Sequence, residues 1–105
     1  PTSRYVKAAF HKLNSPEGTT EEEQVSQFFH LLDSVSMVRG SVVTPEGRCD
    51  ITTYSCCVSA GEGIYYYKTY ENSRISAVRL FGEELDTREL KIFPLREKTD
   101  IRFEN

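Results

Sequence analysis

Three cysteines, two histidines, a run of three glutamates, an early arginine and a leading proline are the residues of this 105-residue chain that could carry chemistry. A cysteine becomes a nucleophile when a cation or a helix N-terminus stabilises its thiolate. Cys49, Cys56 and Cys57 lie in or beside strand-like sequence, with Arg48 the only adjacent cation, and read as structural thiols. Cys56-Cys57 also lacks the C-x-x-C spacing of a redox or zinc pair. His11 and His30 fall on two different helical stretches and no H-E-x-x-H occurs, so no metal site is expected. Glu21, Glu22 and Glu23 read as charges at a helix start, where the helix dipole favours them, rather than as an acid/base pair. Pro1 would offer a secondary amine as a base, but the spacing behind it is helical rather than the strand start that such a base requires. Gly61 and Gly63 separate two strand-like runs, so they do not form a phosphate loop between a strand and a helix. Arg4 remains. It heads an amphipathic stretch, where its planar, permanently charged fork could pair with a carboxylate or a thiolate.

The elements that position these residues follow from periodicity. Val6, Ala9, Phe10 and Leu13 are spaced i, i+3, i+4, i+7 and predict a helix over 2–13 with one apolar face. Pro16 and Gly18 end it. Thr20 with Glu23 forms a capping box, and the helix it opens is expected over 20–35, burying Val25, Phe28, Phe29, Leu32 and Val35. From Ser36 to Arg48 the pattern lapses into a connection marked by Gly40 and Pro45-Glu46-Gly47. The period then changes to that of strands over 49–58, 64–71 and 75–81, rich in Ile, Val, Thr and Tyr. The short turns between them predict an antiparallel meander. Residues 90–94 are compatible with a further edge strand, closed by Pro94, which leaves the strand count open at three or four. The class is therefore α+β, two helices followed by three to four antiparallel strands. Tyr65, Tyr66, Tyr67 and Tyr70 load both faces of the middle strand with aromatic area. The two helices can cover only one face, so a further layer is expected upstream of Pro1, where no initiator Met stands.

Composition narrows the function classes. Thirteen basic against sixteen acidic residues give a formal charge of -3, which disfavours nucleic acid as a partner. No apolar run is long enough to span a bilayer, and no signal peptide is visible. An odd number of cysteines does not make a disulfide framework, which fits a cytoplasmic setting. A chain of this size supports at most one small domain.

Ser3-Arg4-Tyr5-Val6-Lys7-Ala8-Ala9-Phe10 with Lys12-Leu13-Asn14-Ser15 resembles a segment of the choloylglycine hydrolase family of linear amide C–N hydrolases. So do Val25 to Leu32 with Ser34-Val35, Gly63 to Ser73, Asp86 to Leu90, and Phe93-Pro94-Leu95. The resemblance is ordered and nearly end to end. It implies that residues 1–105 are the C-terminal portion of a single N-terminal nucleophile hydrolase domain, an αββα sandwich. The implied activity is hydrolysis of glycine- or taurine-conjugated bile acids by an N-terminal cysteine that lies upstream of this chain, with no cofactor. Penicillin V is the alternative substrate within the family. Arg4 matches the active-site arginine of the family's Ser-Arg-Phe/Tyr segment, and a homotetrameric full-length enzyme is implied. From another class, a stand-alone α+β interaction module that binds through its tyrosine face would also fit the residues.

Overall fold

The computed structural model describes residues 1–105, which fall into two compact units, Pro1–Thr52 and Thr53–Asn105. The first unit holds helices α1 (Thr2–Asn14) and α2 (Glu21–Asp33). The second holds strands β1 (Tyr54–Ser59), β2 (Ile64–Thr69) and β3 (Ser76–Arg79) in one antiparallel sheet of order β1-β2-β3. No helix is long and apolar enough to cross a membrane.

In the first unit, α1 starts directly after Pro1, whose carbonyl accepts the Tyr5 N–H at 3.1 Å. It ends where Ser15 turns extended (φ -75°, ψ 127°), the conformation that a following proline imposes. α1 buries none of its residues: Phe10 is 61% and Leu13 82% exposed, so of the expected apolar face only Ala9 is partly covered. α2 sinks Phe29 to 2% exposure, with the Phe28 ring edge-on to it at 6.3 Å. Phe28 itself stays exposed, while Val25, Leu32 and Val35 are half-buried, so the expected buried stripe narrows to Phe29.

The N-terminus of α2 departs slightly from the box expected of it. Thr20 Oγ1 accepts the Glu23 N–H at 3.2 Å as expected. The Glu23 carboxylate reaches one residue further back, accepting from the Thr19 N–H at 2.8 Å and the Thr19 hydroxyl at 2.9 Å. After Ser34 the chain forms a turn, and residues 42–50 fold back on themselves. Asp50 N–H donates to Val42 O at 2.9 Å and Thr44 N–H to Arg48 O at 2.7 Å. Gly47 closes this reversal at φ +81°, a conformation that costs glycine nothing. A segment without periodicity is therefore ordered by its turn, and it returns Thr52 to the side of Met37.

In the second unit, register places Tyr54, Cys56, Val58, Tyr65, Tyr67, Thr69, Ser76 and Val78 on one face of the sheet. The β1–β2 turn closes at Gly63 (φ +64°), where an added Cβ would stand 2.5 Å from the Phe81 ring. Both the conformation and the contact demand glycine there. Beyond the sheet, the segment after Pro94 is held by main-chain bonds. Arg96 N–H donates to the Tyr67 hydroxyl at 3.1 Å, and the Thr69 hydroxyl donates to Arg96 O at 2.7 Å. Tyr67 is 8% exposed beneath this strap, and Arg74 pairs with Asp100 at 3.1 Å.

Two strand expectations are corrected. β1 begins at Tyr54 rather than Cys49, because Cys49 spends its pairing on an isolated bridge to Val43. Residues 90–94 form no strand: Pro94 offers no N–H for a ladder, and Leu90 and Ile92 lie exposed without a paired neighbour strand. The sheet therefore has three strands, the lower of the three to four expected.

The bonds from Thr19 and Thr20 hold the Glu23 carboxyl below its ordinary range, with the Thr19 N–H the largest contribution. A carboxyl whose pKa is lowered in the folded state stabilises above its unfolded value, and that contribution fades as pH falls through the folded value. Far-UV circular dichroism on acidification should show α2 fraying through that range, with Glu23→Gln flattening this component. Equal acid sensitivity in the variant would remove Glu23 from the cap.

Candidate functional site around Arg4

Arg4 lies on the first turn of α1, and its Nε donates to the Val35 carbonyl at 2.9 Å. That carbonyl is available because α2 has ended. Its last carbonyls have no intrahelical partners and are met by local donors instead. Ser34 Oγ donates to Leu31 O at 2.6 Å and Ser36 Oγ to Leu32 O at 3.2 Å, while the N–H groups of Val35 and Ser36 close onto Leu32 and Asp33. The next residue is fastened as well. Met37 N–H donates to Thr52 Oγ1 at 2.8 Å, and Thr52 N–H donates to Met37 O at 3.2 Å.

Around the guanidinium is a groove of about 310 Å³ whose lining includes Ser3, Arg4, Lys7, Val35, Met37 and Val42. It carries two cations and no acid among its lining residues. Arg4 and Lys7 stand three residues apart on α1, so both charges face the same side. With one of its five donors fixed to a carbonyl, the guanidinium is oriented while four donors remain to meet an anion. The chemistry this arrangement can perform is electrostatic: it holds a fixed positive charge where a carboxylate or thiolate can be received.

The other residues singled out from sequence do not gather around it into a constellation. His11 sits in the last turn of α1 with its ring edge-on to Phe10 at 5.6 Å, and His30 sits exposed in the last turn of α2. Both are placed where a helix C-terminus favours a cation. No group of three or more His, Cys, Asp or Glu could hold a metal ion. The cysteines all remain thiols, Cys49 exposed and the other two half-buried. Cys56 pairs across from Tyr67 and Cys57 across from Tyr66, so these sequence neighbours face opposite sides of the sheet. A larger groove of about 980 Å³ lies between the β2–β3 turn and the strap. Its charged groups are already used in part, since Arg74 pairs with Asp100.

Sequence reasoning missed the Val35 carbonyl and Thr52. Backbone acceptors leave no trace in residue types. The only available signal was the Gly40 to Gly47 reversal, which has to bring some residue back toward the end of α2.

A family model for linear amide C-N hydrolases, choloylglycine hydrolase family, matches residues 1–93. The chain belongs to this family. A bile salt hydrolase/transferase of Lactiplantibacillus plantarum is 50% identical over 94 residues, covering 90% of this chain and 29% of the relative. A bile salt hydrolase/transferase of Clostridium perfringens is 37% identical over 105 residues, covering all of this chain and 32% of the relative. Among solved structures, a mutant conjugated bile acid hydrolase from Clostridium perfringens superposes with a TM-score of 0.86 at 38% identity. It covers all of this chain, which in turn covers 32% of it. The chain thus spans about 30% of the length of the curated relatives it matches. Its helices and antiparallel sheet correspond to a stretch of the N-terminal nucleophile hydrolase fold.

In the sheet, the pKa of the Tyr65 hydroxyl is raised above the usual phenol range. The first cause is its hydrogen bond with Cys56, followed by burial and by neighbouring Cys56, Tyr54 and Tyr67. Ultraviolet titration should show Tyr65 ionising late, and Cys56→Ala should bring it back toward the ordinary value. An unchanged titration in that variant would break the Cys56–Tyr65 link.

Proposed function

We propose that this chain is the C-terminal portion of a single-domain amide hydrolase that cleaves glycine or taurine from conjugated bile acids. The observation that carries the reading is the 50% identity with a bile salt hydrolase/transferase across 90% of the chain. The relatives reported above are all named for bile salts or conjugated bile acids, which favours that substrate class over penicillin V. In this reading the nucleophile is an N-terminal cysteine thiolate contributed by the preceding part of the enzyme. It attacks the amide carbonyl, the amine of glycine or taurine takes up a proton and departs, and water then cleaves the thioester to release the bile acid. The enzyme works as a homo-oligomer in the cytoplasm, a setting in which three thiols outside any disulfide are ordinary.

Arg4 is the residue of this chain assigned to the reaction. Its guanidinium, aimed by the Val35 carbonyl, lowers the energy of the thiolate and of the negative charge that develops during attack. An oriented cation serves this purpose better than a mobile one, because no reorganisation is required as the charge appears.

Two measurements test the proposal. The 105 residues alone should release no glycine or taurine from conjugated bile salts above a heat-killed control, since nucleophile and base act as a unit whose removal abolishes turnover. Turnover by the isolated chain would place the nucleophile within residues 1–105 and overturn the assignment. In the full-length hydrolase carrying these residues, Arg4→Ala should lower kcat by about a hundredfold or more, the scale of losing one stabilising donor. That loss should far exceed what any fall in melting temperature accounts for, because the groups it serves are those of the reaction. Unchanged activity would return Arg4 to the surface.

A further inference from the structure

Arg4 is aimed by a carbonyl, and a carbonyl is only as fixed as the backbone that bears it. On its N-terminal side, Val35 follows the last turn of α2, which the Ser34 and Ser36 hydroxyls fasten. On its C-terminal side the helix still reaches Ser36, whose N–H and hydroxyl bond the Asp33 and Leu32 carbonyls at 3.2 Å each, but it supports nothing beyond that residue. What holds the next residue is Thr52. The Thr52 hydroxyl accepts the Met37 N–H at 2.8 Å, and the Thr52 N–H donates to the Met37 carbonyl at 3.2 Å. Met37 is thereby tied through both of its backbone polar groups, two residues after the carbonyl that receives Arg4 Nε at 2.9 Å.

We infer that Thr52 is a positioning residue for the Arg4 guanidinium, acting through Met37 and the Val35 carbonyl. This rests on the role proposed for Arg4 and extends it to the element that sets its direction. Thr52 is itself placed by the reversal of residues 42–50, where the Val42–Asp50 and Thr44–Arg48 bonds return the chain. The irregular loop is therefore the arm that carries the hydroxyl to Met37. Thr52 is half-buried in this arrangement. Deleting its Oγ1 leaves the Met37 N–H without an acceptor, and a shielded N–H recovers a partner by moving. Movement at Met37 is transmitted to Val35, and the guanidinium turns with it. A displacement of an ångström in a charged group is enough to cost a large factor in rate.

The test is a double-mutant cycle in the full-length hydrolase carrying these residues, with kcat, KM and melting temperature measured for each variant. Thr52→Val keeps the size and β-branching of threonine and removes the acceptor. It should lower kcat by about tenfold with KM nearly unchanged, as expected when a contribution made chiefly in the transition state is weakened. Thr52→Ser retains the hydroxyl and should keep kcat within about twofold of the parent. In the Arg4→Ala background, Thr52→Val should cost nothing further, because a residue that acts only through Arg4 has nothing left to position. Equal losses from Thr52→Val in both backgrounds would overturn the inference, as would a folded Thr52→Ser enzyme as slow as Thr52→Val. An Arg4→Ala enzyme with full activity would instead sink the reading of Arg4 itself, so the two failures are distinct.

Discussion

The bond from Arg4 Nε to the Val35 carbonyl carries more of the first unit's organisation than its surroundings suggest. α1 buries no side chain, so burial cannot fix the direction of its first turn. A charged donor on a backbone acceptor can, because charge-assisted hydrogen bonds are short, directional and stronger than neutral ones. The acceptor exists because α2 stops at Asp33 and its end is closed by serine hydroxyls. Helix termination, turn chemistry and the aim of a cation are here a single construction. The hairpin-like loop beyond it, which has no apolar periodicity at all, completes that construction through Thr52.

Much of this architecture is legible in the residues. Val6, Ala9, Phe10 and Leu13 announce α1, Pro16 ends it, and Thr20 starts α2, all within one or two residues of where the helices lie. These signals work because they are local: a periodic face, a fixed proline φ, a hydroxyl three residues from an N–H. The three strands are legible for the same reason, through β-branched and aromatic runs punctuated by Gly63 and by Asn72. The false strand at 90–94 shows where local pattern fails, since Leu90 and Ile92 alternate correctly but find no neighbour. Strand formation depends on a partner, and a partner is not a local property. The same gap hides the Val35 carbonyl and Thr52. Arg4 is visible from the family resemblance, yet what steers it is a contact spanning thirty-one residues that no spacing encodes.

The burial pattern bears on the tyrosine strand. Tyr67 is buried where the strap crosses it, whereas Val58, on the same face, is 66% exposed. One end of that face is roofed by the chain's own tail and the other is left open. Few hydrophobic residues of this chain are deeply buried, Phe29 and Tyr67 being the clearest. A chain about 30% as long as its relatives can satisfy its turns and caps locally, yet it keeps apolar area in reserve. Polar bonding in this chain is thus more complete than apolar burial.

The strap is gripped by its backbone. Both the Tyr67 and the Thr69 hydroxyl take hold of Arg96 at its N–H and C=O, groups that nearly every amino acid possesses. Such a grip depends little on the letters of the tail: the sheet sets the path at Arg96, and among the side chains along it Asp100 adds a fastening by pairing with Arg74. The family model ends at residue 93, just before this stretch begins. A tail held in this way keeps its course through many changes of wording, and the Clostridium perfringens relative still aligns along the whole chain.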